Sequence, residues 1–312
     1  MRFLNILISS FFLILGINIS SAFSKTEKIF YRTAKVNGLD IFYREAGSIE
    51  NPSIILLHGF PTSSHMFRNL IPALADRFHV IAPDYPGFGQ SSKPSVSEFK
   101  YTFDNLSSVV DQLLEQKKIF KYSLYLMDYG APVGFRIAVK HPDRVQALIV
   151  QNGNAYEEGL KDFWIPLRKY WADRSPENAE PLKGFVTLAG VKWQYTNGVR
   201  DPERISPDNW SVDLAHLSAP GNLEIQLELF YDYRTNLTLY PSWHEYFNQY
   251  QPPMLIVWGK NDVIFPPDGA YPYKRDLKNI DFNILDTGHF ALEEEGDFIA
   301  WKIRSFLMEY LK

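Results

Sequence analysis

The sequence predicts an α/β protein with a mostly parallel sheet, helices on both faces of that sheet and a helical lid inserted in the chain. Three observations lead to this fold class. Short apolar runs alternate with helix-like patterns up to residue 153, the alternation stops over residues 154–250, and it resumes at Met254–Trp258. Strands that alternate with helices are typical of a parallel sheet covered on both faces.

The individual elements follow from hydrophobic periodicity and turn residues. Lys28–Val36 and Leu39–Ala46 meet at Asn37–Gly38, a dipeptide that favours the positive φ angles of a tight hairpin, so the chain is expected to begin with an antiparallel pair. The apolar runs that predict further strands are Ile54–Leu57, Val80–Pro83, Leu124–Met127, Ala147–Val150, Met254–Trp258 and Asp281–Leu285. Helical patterns cover residues 65–75, 103–117, 131–140 and 291–311.

The expected organisation has four segments. Residues 1–24 are a signal peptide, residues 25–153 the first part of the core, residues 154–250 the helical lid and residues 251–312 the second part of the core. Five of the seven tryptophans fall in the lid, namely Trp164, Trp171, Trp193, Trp210 and Trp243. Most of these aromatic side chains are expected to pack helices together, and some to line a pocket for a small apolar substrate.

Residues 1–24 have the pattern of a secretory signal. Arg2 is the only charged residue, and a largely apolar run covers residues 3–19. The small residues beyond it are Ser20, Ala22 and Ser24. We therefore expect an exported protein, periplasmic or secreted, without stable membrane association once the signal is removed. An uncleaved membrane anchor is the alternative for residues 1–24. The chain has no cysteine, which excludes disulfides and thiolate metal ligands.

The charge of the chain excludes one class of partner. It has 32 Lys and Arg against 36 Asp and Glu, for a formal net charge of -4, and the basic residues are scattered. Proteins that bind nucleic acid concentrate positive charge on one face. No nucleic-acid partner is expected.

Asp128 is the first candidate for chemistry. It follows the predicted strand Leu124–Met127 directly and precedes Gly130 and a helix, so it occupies a sharp strand-to-helix turn. Such a turn lifts a side chain clear of the backbone, and the helix that follows directs N–H groups and a positive dipole end toward it. A simple helix N-cap is the structural alternative.

Two further residues favour the interpretation of Asp128 as a nucleophile over that of a helix N-cap. Asp262 follows the strand Met254–Trp258, and His289 follows the last predicted strand. In a parallel sheet all three side chains then lie at carboxyl ends of strands, where functional sites gather. Nucleophile, acid and base also come in the chain order that a nucleophile turn of this kind uses, with the acid fixing the tautomer of the histidine.

The chain resembles the α/β-hydrolase superfamily, and within it the branch of epoxide hydrolases and haloalkane dehalogenases. The matching positions are His58-Gly59-Phe60-Pro61 after one strand, Asp84 to Gly89 after the next, and the turns at Asp128, Asp262 and His289. Together they span nearly the whole chain apart from the lid and the first residues. The resemblance implies an α/β-hydrolase fold and catalysis without a metal or an organic cofactor.

The resemblance also assigns roles around the nucleophile. It implies that the backbone N–H groups of Phe60 and Tyr129 form an oxyanion hole, that His58 braces its loop, and that residues 84–89 are a turn scaffold. Two positions depart from the family pattern. Leu126 stands two residues before the nucleophile, where a small residue is usual, and Tyr129 replaces the usual tryptophan.

An aspartate nucleophile indicates attack at sp³ carbon. A serine that attacked an alkyl carbon would form an inert ether, whereas an aspartate forms an alkyl ester that water can open. His289, paired with Asp262, would activate that water. The substrates with electrophilic sp³ carbon are chiefly epoxides and alkyl halides, so the sequence predicts a hydrolase of one of these two classes.

The lid decides between the two classes. In the epoxide hydrolases lid tyrosines protonate the leaving oxygen, and the segment Phe230-Tyr231-Asp232-Tyr233-Arg234 resembles the family segment that ends in Tyr-Arg. Tyr233 is therefore the first candidate acid, with Tyr195 and Tyr170 as candidates for a second. An epoxide hydrolase is predicted. The alternatives are a haloalkane dehalogenase, in which Trp164 could supply an N–H to the halide, and an inactive binding protein on the same fold.

Overall fold

The computed structural model of the protein describes residues 27–311, and an eight-stranded sheet runs through it. The strand order is β1-β2-β4-β3-β5-β6-β7-β8; β1 and β2 run antiparallel to their neighbours and all other pairs are parallel. The strands are β1 (Phe30–Val36), β2 (Leu39–Ala46), β3 (Ser53–Leu57), β4 (His79–Pro83), β5 (Tyr122–Met127), β6 (Val145–Gln151), β7 (Met254–Gly259) and β8 (Ile280–Leu285). The predicted fold class is confirmed.

Burial explains why the middle strands read as continuous apolar runs. Every residue of β3, β4, β5 and β7 is buried, because helices cover the sheet. The edge strand β1 is mostly exposed and the opposite edge strand β8 is half-buried throughout. Asn37 and Gly38 adopt φ angles of 51° and 83°, so the predicted hairpin turn joins β1 to β2.

The helices flank the sheet and fill the segment between β6 and β7. They are α1 (Leu70–Leu74), α2 (Phe103–Gln116), α3 (Gly130–Lys140), α4 (Ile165–Ala172), α5 (Pro176–Lys183), α6 (Leu188–Thr196), α7 (Asp208–Leu217), α8 (Asn222–Asp232), α9 (Arg234–Tyr250), α10 (Tyr273–Asp276) and α11 (Ala291–Tyr310). Within the core, α2 packs on α3 and α1 packs on α11. Between residues 27 and 311 no helix is both long and apolar enough to cross a membrane.

Helices α4 to α9 form the lid, which packs on the carboxyl edge of the sheet through polar and aromatic contacts. The amide of Asn222 donates a hydrogen bond to the backbone oxygen of Gly87 at 2.8 Å, and the rings of Phe60 and Phe230 pack edge to face at 5.0 Å. The signal peptide predicted over residues 1–24 lies outside the described residues.

Two turn glycines share a left-handed backbone conformation but differ in how closely other atoms pack around them. Gly38 and Gly47 have φ angles of 83° and 82°, but a Cβ on Gly38 would have nothing within 4 Å, while one on Gly47 would lie 2.0 Å from the oxygen of Phe78. Gly38→Ala should cost about 1–2 kcal/mol for the left-handed conformation alone. Gly47→Ala must also displace backbone, so we expect a loss on the order of 3–5 kcal/mol in urea unfolding. Equal losses for the two variants would contradict the packing described.

Candidate active site

Asp128 occupies the turn between β5 and α3 in a left-handed conformation, with φ 52°. This conformation is uncommon for residues other than glycine, and it clusters at functional turns. Two neighbouring glycines make room for the turn. A Cβ on Gly59 would lie 2.3 Å from the Cβ of Asp128, and one on Gly130 would lie 2.1 Å from the oxygen of Leu57.

Leu126, which stands where the family usually has a small residue, packs against helix α3. Leu126 is fully buried, and a Cβ on Gly134 would lie 2.2 Å from its Cδ2. The side chain of Leu126 therefore occupies the space that a side chain at position 134 would fill. The nucleophile turn keeps its shape without a small residue at 126.

Two backbone N–H groups hold one oxygen of the Asp128 carboxylate. Oδ1 accepts hydrogen bonds from the N–H of Phe60 at 2.8 Å and from the N–H of Tyr129 at 2.6 Å. These are the two residues expected to form the oxyanion hole. Because Oδ1 accepts from both N–H groups, Oδ2 is the carboxylate oxygen that these groups leave free.

His289 and Asp262 lie on the other side of Oδ2. Nδ1 of His289 donates to Oδ2 of Asp262 at 2.8 Å, which makes Nε2 the unprotonated nitrogen of the neutral ring. Nε2 is 3.8 Å from Oδ2 of Asp128 and has no hydrogen-bond partner among residues 27–311. Burial opposes protonation of His289, but the carboxylates of Asp262 and Asp128 together outweigh it, so the pKa of His289 is raised above its ordinary value.

Asn152 and Gln151 hold the His289–Asp262 pair in place. Sequence reasoning did not identify either residue. At the end of β6, the Asn152 side chain donates to Oδ2 of Asp262 at 2.7 Å and accepts from the N–H of Gly259 at 3.1 Å. The Gln151 amide donates to the backbone oxygen of His289 at 3.2 Å. The available signal was their position, since a polar residue that directly follows a buried parallel strand lies at the same edge as Asp128.

His58 braces the loop that carries Phe60. Its Nδ1 donates to the backbone oxygen of Gly59 at 2.9 Å, and its Nε2 accepts from the N–H of Tyr85 at 3.3 Å. Burial lowers the pKa of His58, which keeps the ring neutral in this role. The Asp84 carboxylate likewise holds its own turn, accepting from the backbone N–H groups of Ser64 and Gln90.

Burial shapes the reactivity of the nucleophile. It raises the pKa of Asp128 from an ordinary 3.8 to about 6, while His289 and the two N–H groups of the oxyanion hole oppose that rise. The carboxylate is therefore ionised at neutral pH but poorly solvated, and an unsolvated anion is a better nucleophile than a hydrated one. The reactive form is lost as the pH falls through about 6.

A small apolar cavity lies directly above Asp128. Its volume is about 30 Å³, which is enough for one or two water molecules. The lining is aromatic and aliphatic apart from Asp128 and the amide of Gln194; its other members are Phe60, Tyr129, Phe163, Trp164, Leu167, Phe185, Phe230 and Ile264. A substrate therefore enters only when lining side chains or the lid are displaced.

The three candidate tyrosines of the lid occupy different environments, and none of them lines this cavity. Tyr233 is buried between Trp164 and Tyr129, with ring centroids 4.4 and 6.1 Å away. The Tyr195 hydroxyl donates to Oδ2 of Asp213 at 2.6 Å. The Tyr170 hydroxyl accepts from Nε of Arg174 at 3.3 Å. Tyr233 is thus the candidate that packs against Tyr129, the residue next to the nucleophile.

Trp164 and Gln194 are the lid residues on the cavity wall whose side chains carry an N–H group. The indole N–H of Trp164 donates to the backbone oxygen of Ile264 at 2.7 Å, so it is already used. The Gln194 amide makes two long contacts, to the oxygens of Phe185 at 3.4 Å and Gly190 at 3.3 Å. Sequence reasoning missed Gln194, which no motif distinguishes from other lid residues.

A group of possible metal ligands lies apart from these residues. Asp111, Glu115 and His141 bring their ligand atoms within 4.8 Å of one another. Lys140 pairs with Asp111 at 2.7 Å, and Arg144 pairs with Glu115. The positive charge that a metal ion would supply is therefore already present, and the group includes no residue of the nucleophile, acid and base.

An ionised carboxylate whose one oxygen sits in an oxyanion hole, beside a histidine with a free nitrogen, is equipped for nucleophilic hydrolysis. Comparison with known proteins gives the same class. Residues 52–296 match the family model described as alpha/beta hydrolase fold. The chain belongs to this family.

Individual members of this family are similar to the chain over most of its length. The chain is 45% identical over 284 residues to an uncharacterized hydrolase of Saccharomyces cerevisiae, covering 90% of this chain and 97% of the relative. It is 29% identical over 288 residues to a haloalkane dehalogenase of Mesorhizobium japonicum, covering 86% and 87% of the two chains. The solved structure of epoxide hydrolase CorEH matches in fold, with a TM-score of 0.74, 22% identity and 90% and 99% coverage. The protein is thus an α/β-hydrolase with a haloalkane dehalogenase among its relatives, and it shares its fold with an epoxide hydrolase.

Replacing Asp128 by asparagine should stabilise the protein above pH 6. Folding raises the pKa of this buried acid from 3.8 to about 6, so its ionisation favours the unfolded chain. The penalty is absent below pH 3.8, grows between 3.8 and about 6, and reaches roughly 3 kcal/mol above that. The expected result is a higher free energy of unfolding for Asp128→Asn at pH 8 and no gain at pH 4, measured with urea.

Asp286→Asn is the matched control. Asp286 is an exposed acid on the loop before His289, and hydrogen bonds from Lys260 and Asn261 lower its pKa. Its replacement should bring no stabilisation at pH 8. A gain at pH 8 for Asp286→Asn but not for Asp128→Asn would contradict the assignment of the buried charge.

Proposed function

We propose that the protein hydrolyses an electrophilic sp³ carbon compound through a covalent ester on Asp128, and that its substrates are epoxides. One observation carries the covalent step. Oδ1 of Asp128 accepts from the N–H groups of Phe60 and Tyr129, so Oδ2 is the free oxygen and lies 3.8 Å from Nε2 of His289. A carboxylate held in this way is arranged for attack at alkyl carbon.

The two half-reactions use different atoms of the site. In the first, Oδ2 of Asp128 bonds to the substrate carbon and the bond from that carbon to its leaving atom breaks. The ester carbonyl oxygen is then Oδ1, which already accepts two N–H groups. In the second, water attacks Cγ of Asp128 and gives one proton to Nε2 of His289. The bond between Cγ and Oδ2 then breaks, and the alcohol leaves with Oδ2 and the proton from His289. The other proton of the water passes to solvent, which restores the carboxylate with a water oxygen in it.

Tyr233 supports the choice of an epoxide. An epoxide oxygen becomes a basic alkoxide as the ring opens, so it needs a proton donor. Burial, and then the neighbouring Tyr240 and Asp128, raise the pKa of Tyr233 well above its ordinary value, so its phenol keeps its proton at neutral pH. Its ring packs against Tyr129, next to the nucleophile.

A haloalkane is the second candidate substrate, and Gln194 is the observation in its favour. A halide ion needs weak N–H donors and no proton, and the Gln194 amide is the uncharged polar side chain on the cavity wall. Two observations count against it. The N–H of Trp164 is bound to Ile264, and the residue after the nucleophile is Tyr129, which carries no N–H in its side chain.

His289→Gln should trap the covalent ester. Without the base, Oδ2 of Asp128 still attacks the substrate, but no group activates water, so protein treated with an epoxide such as styrene oxide gains the mass of one substrate molecule. Peptide mapping should place the added mass on Asp128. The double variant that also carries Asp128→Asn is the control and should gain no mass.

Single turnover in ¹⁸O-water gives a second reading of the same step. Water attack at Cγ leaves ¹⁸O in the Asp128 carboxylate of the wild-type protein. An adduct on another residue, or an unlabelled Asp128 after turnover, would show that the nucleophile is misassigned. Wild-type protein that turns over neither epoxides nor haloalkanes would favour the inactive binding protein.

Tyr233→Phe separates the two substrate classes. The change keeps the aromatic packing and deletes the hydroxyl, so the rate of epoxide ring opening should fall by about 10²- to 10⁴-fold. Displacement of bromide from a bromoalkane needs no proton and should change little. Alkylation rates for both substrates, measured by stopped-flow fluorescence or rapid-quench mass analysis, provide the test.

Tyr246→Phe is the control for this comparison, because Tyr246 is a buried tyrosine of α9 whose ring packs on Phe247 and Tyr250 and not on Tyr129. It should leave both rates near the wild-type values. If bromide displacement dominates in the wild type and Tyr233→Phe leaves epoxide opening unchanged, the protein is a haloalkane dehalogenase instead.

A further inference from the structure

Helices α6 and α7 of the lid bury a carboxylate that the proposed chemistry does not use. Oδ2 of Asp213 accepts the hydroxyl of Tyr195 at 2.6 Å, and both side chains are about 99% buried, with 1% exposure each. Oδ1 of Asp213 has no hydrogen-bond partner within residues 27–311. Burial raises the pKa of Asp213 to about 7. A buried acid with one unsatisfied oxygen is costly, so its one strong hydrogen bond calls for an explanation.

That hydrogen bond fixes the ring of Tyr195 against the loop of the catalytic histidine. The ring stacks on Phe290 with centroids 3.9 Å apart and planes 14° from parallel. Phe290 directly follows His289, and the two rings meet edge to face at 5.1 Å. A continuous line of contacts therefore connects Asp213 to Tyr195, Phe290 and His289.

The other supports of His289 come from the core. Asp262 holds Nδ1 and Gln151 holds the backbone oxygen, and both follow or end strands of the sheet. Tyr195 reaches the same loop from the lid. A lid residue that packs on the loop can tie the position of the imidazole to lid closure.

We propose that Tyr195 is a positioning residue for His289, held in place by Asp213, and that it acts in ester hydrolysis rather than in ring opening. This inference rests on the proposed function. The first half-reaction uses Oδ2 of Asp128, which does not touch Tyr195. The second needs Nε2 of His289 aligned with a water beside Cγ of Asp128, and a misplacement of about 1 Å can cost about 100-fold in rate.

The test separates the two half-reactions in four variants. Tyr195→Phe keeps the stack and deletes the hydrogen bond, so ester hydrolysis should slow by about tenfold. Tyr195→Leu removes the stack as well, and hydrolysis should slow by about 100-fold. Alkylation of Asp128 by styrene oxide should stay within about twofold of the wild-type rate in both variants. Single-turnover mass analysis measures the two rates from the rise and decay of the ester.

The two Asp213 variants test the hydrogen bond from its other side. Asp213→Asn retains an oxygen that accepts from the Tyr195 hydroxyl and should hydrolyse the ester within about threefold of the wild-type rate. Asp213→Leu has no acceptor and should behave like Tyr195→Phe. Tyr246→Phe is the matched control, because Tyr246 is a buried tyrosine of α9 that packs on Phe247 and Tyr250, and both of its rates should equal those of the wild type.

A measurement without substrate keeps this inference separate from the proposed function. In protein labelled with ¹⁵N at its histidines, the imidazole signals of His289 are those lost in His289→Gln. We expect them to shift in Tyr195→Leu and to stay in place in Tyr246→Phe. If wild-type protein forms no ester on Asp128, the proposed function fails, and these signals still decide whether Tyr195 positions His289.

Two results would overturn the role of Tyr195. Slower alkylation in Tyr195→Phe, with hydrolysis unchanged, would make Tyr195 a proton donor for ring opening. Unchanged His289 signals in Tyr195→Leu would mean that the stack does not position the imidazole. Retention of the wild-type melting temperature within a few degrees in Tyr195→Phe confirms that the kinetic readings come from folded protein.

Discussion

Two backbone N–H groups, from Phe60 and Tyr129, hold one oxygen of a buried carboxylate, and the rest of the site is arranged around that contact. It requires the left-handed turn at Asp128, and that turn requires glycine at 59, where any Cβ would overlap the nucleophile. It also requires His58 to hold its loop rather than to take part in chemistry. The residues around Asp128 are thus explained by geometry before any substrate is considered.

The same contact divides the work between the sheet and the lid. The sheet supplies Asp128, the N–H groups that hold its Oδ1 and the His289–Asp262 pair, each in a segment that follows a strand of the sheet. The lid supplies the apolar wall and the groups that would meet the leaving atom. Under the proposed mechanism, substrate choice can therefore change through lid residues while the residues of the core stay the same.

How much the sequence could predict follows from this division. Asp128, Asp262 and His289 could be placed at one edge because parallel strands of similar length end together, whatever packs around them. The lid offered no such rule. The hydroxyl of Tyr195 meets Asp213 on another helix, and Gln194 rather than its neighbour lies on the cavity wall, because helix packing angles set both outcomes. Asn152 lay within reach of the strand-end argument, but an amide is not one of the residue types sought for chemistry.

The size of the cavity has a consequence for affinity. With room for one or two waters above Asp128, a substrate fits only after lining side chains or the lid are displaced, so binding proceeds from a more open arrangement of the site. The observed dissociation constant is then the intrinsic constant divided by the fraction of molecules that are open. Substitutions at the Asn222–Gly87 contact that free the lid would tighten substrate binding without adding a single contact to the ligand. Selection on such a protein can therefore adjust its working concentration range through a contact between lid and core, without changing the atoms that react.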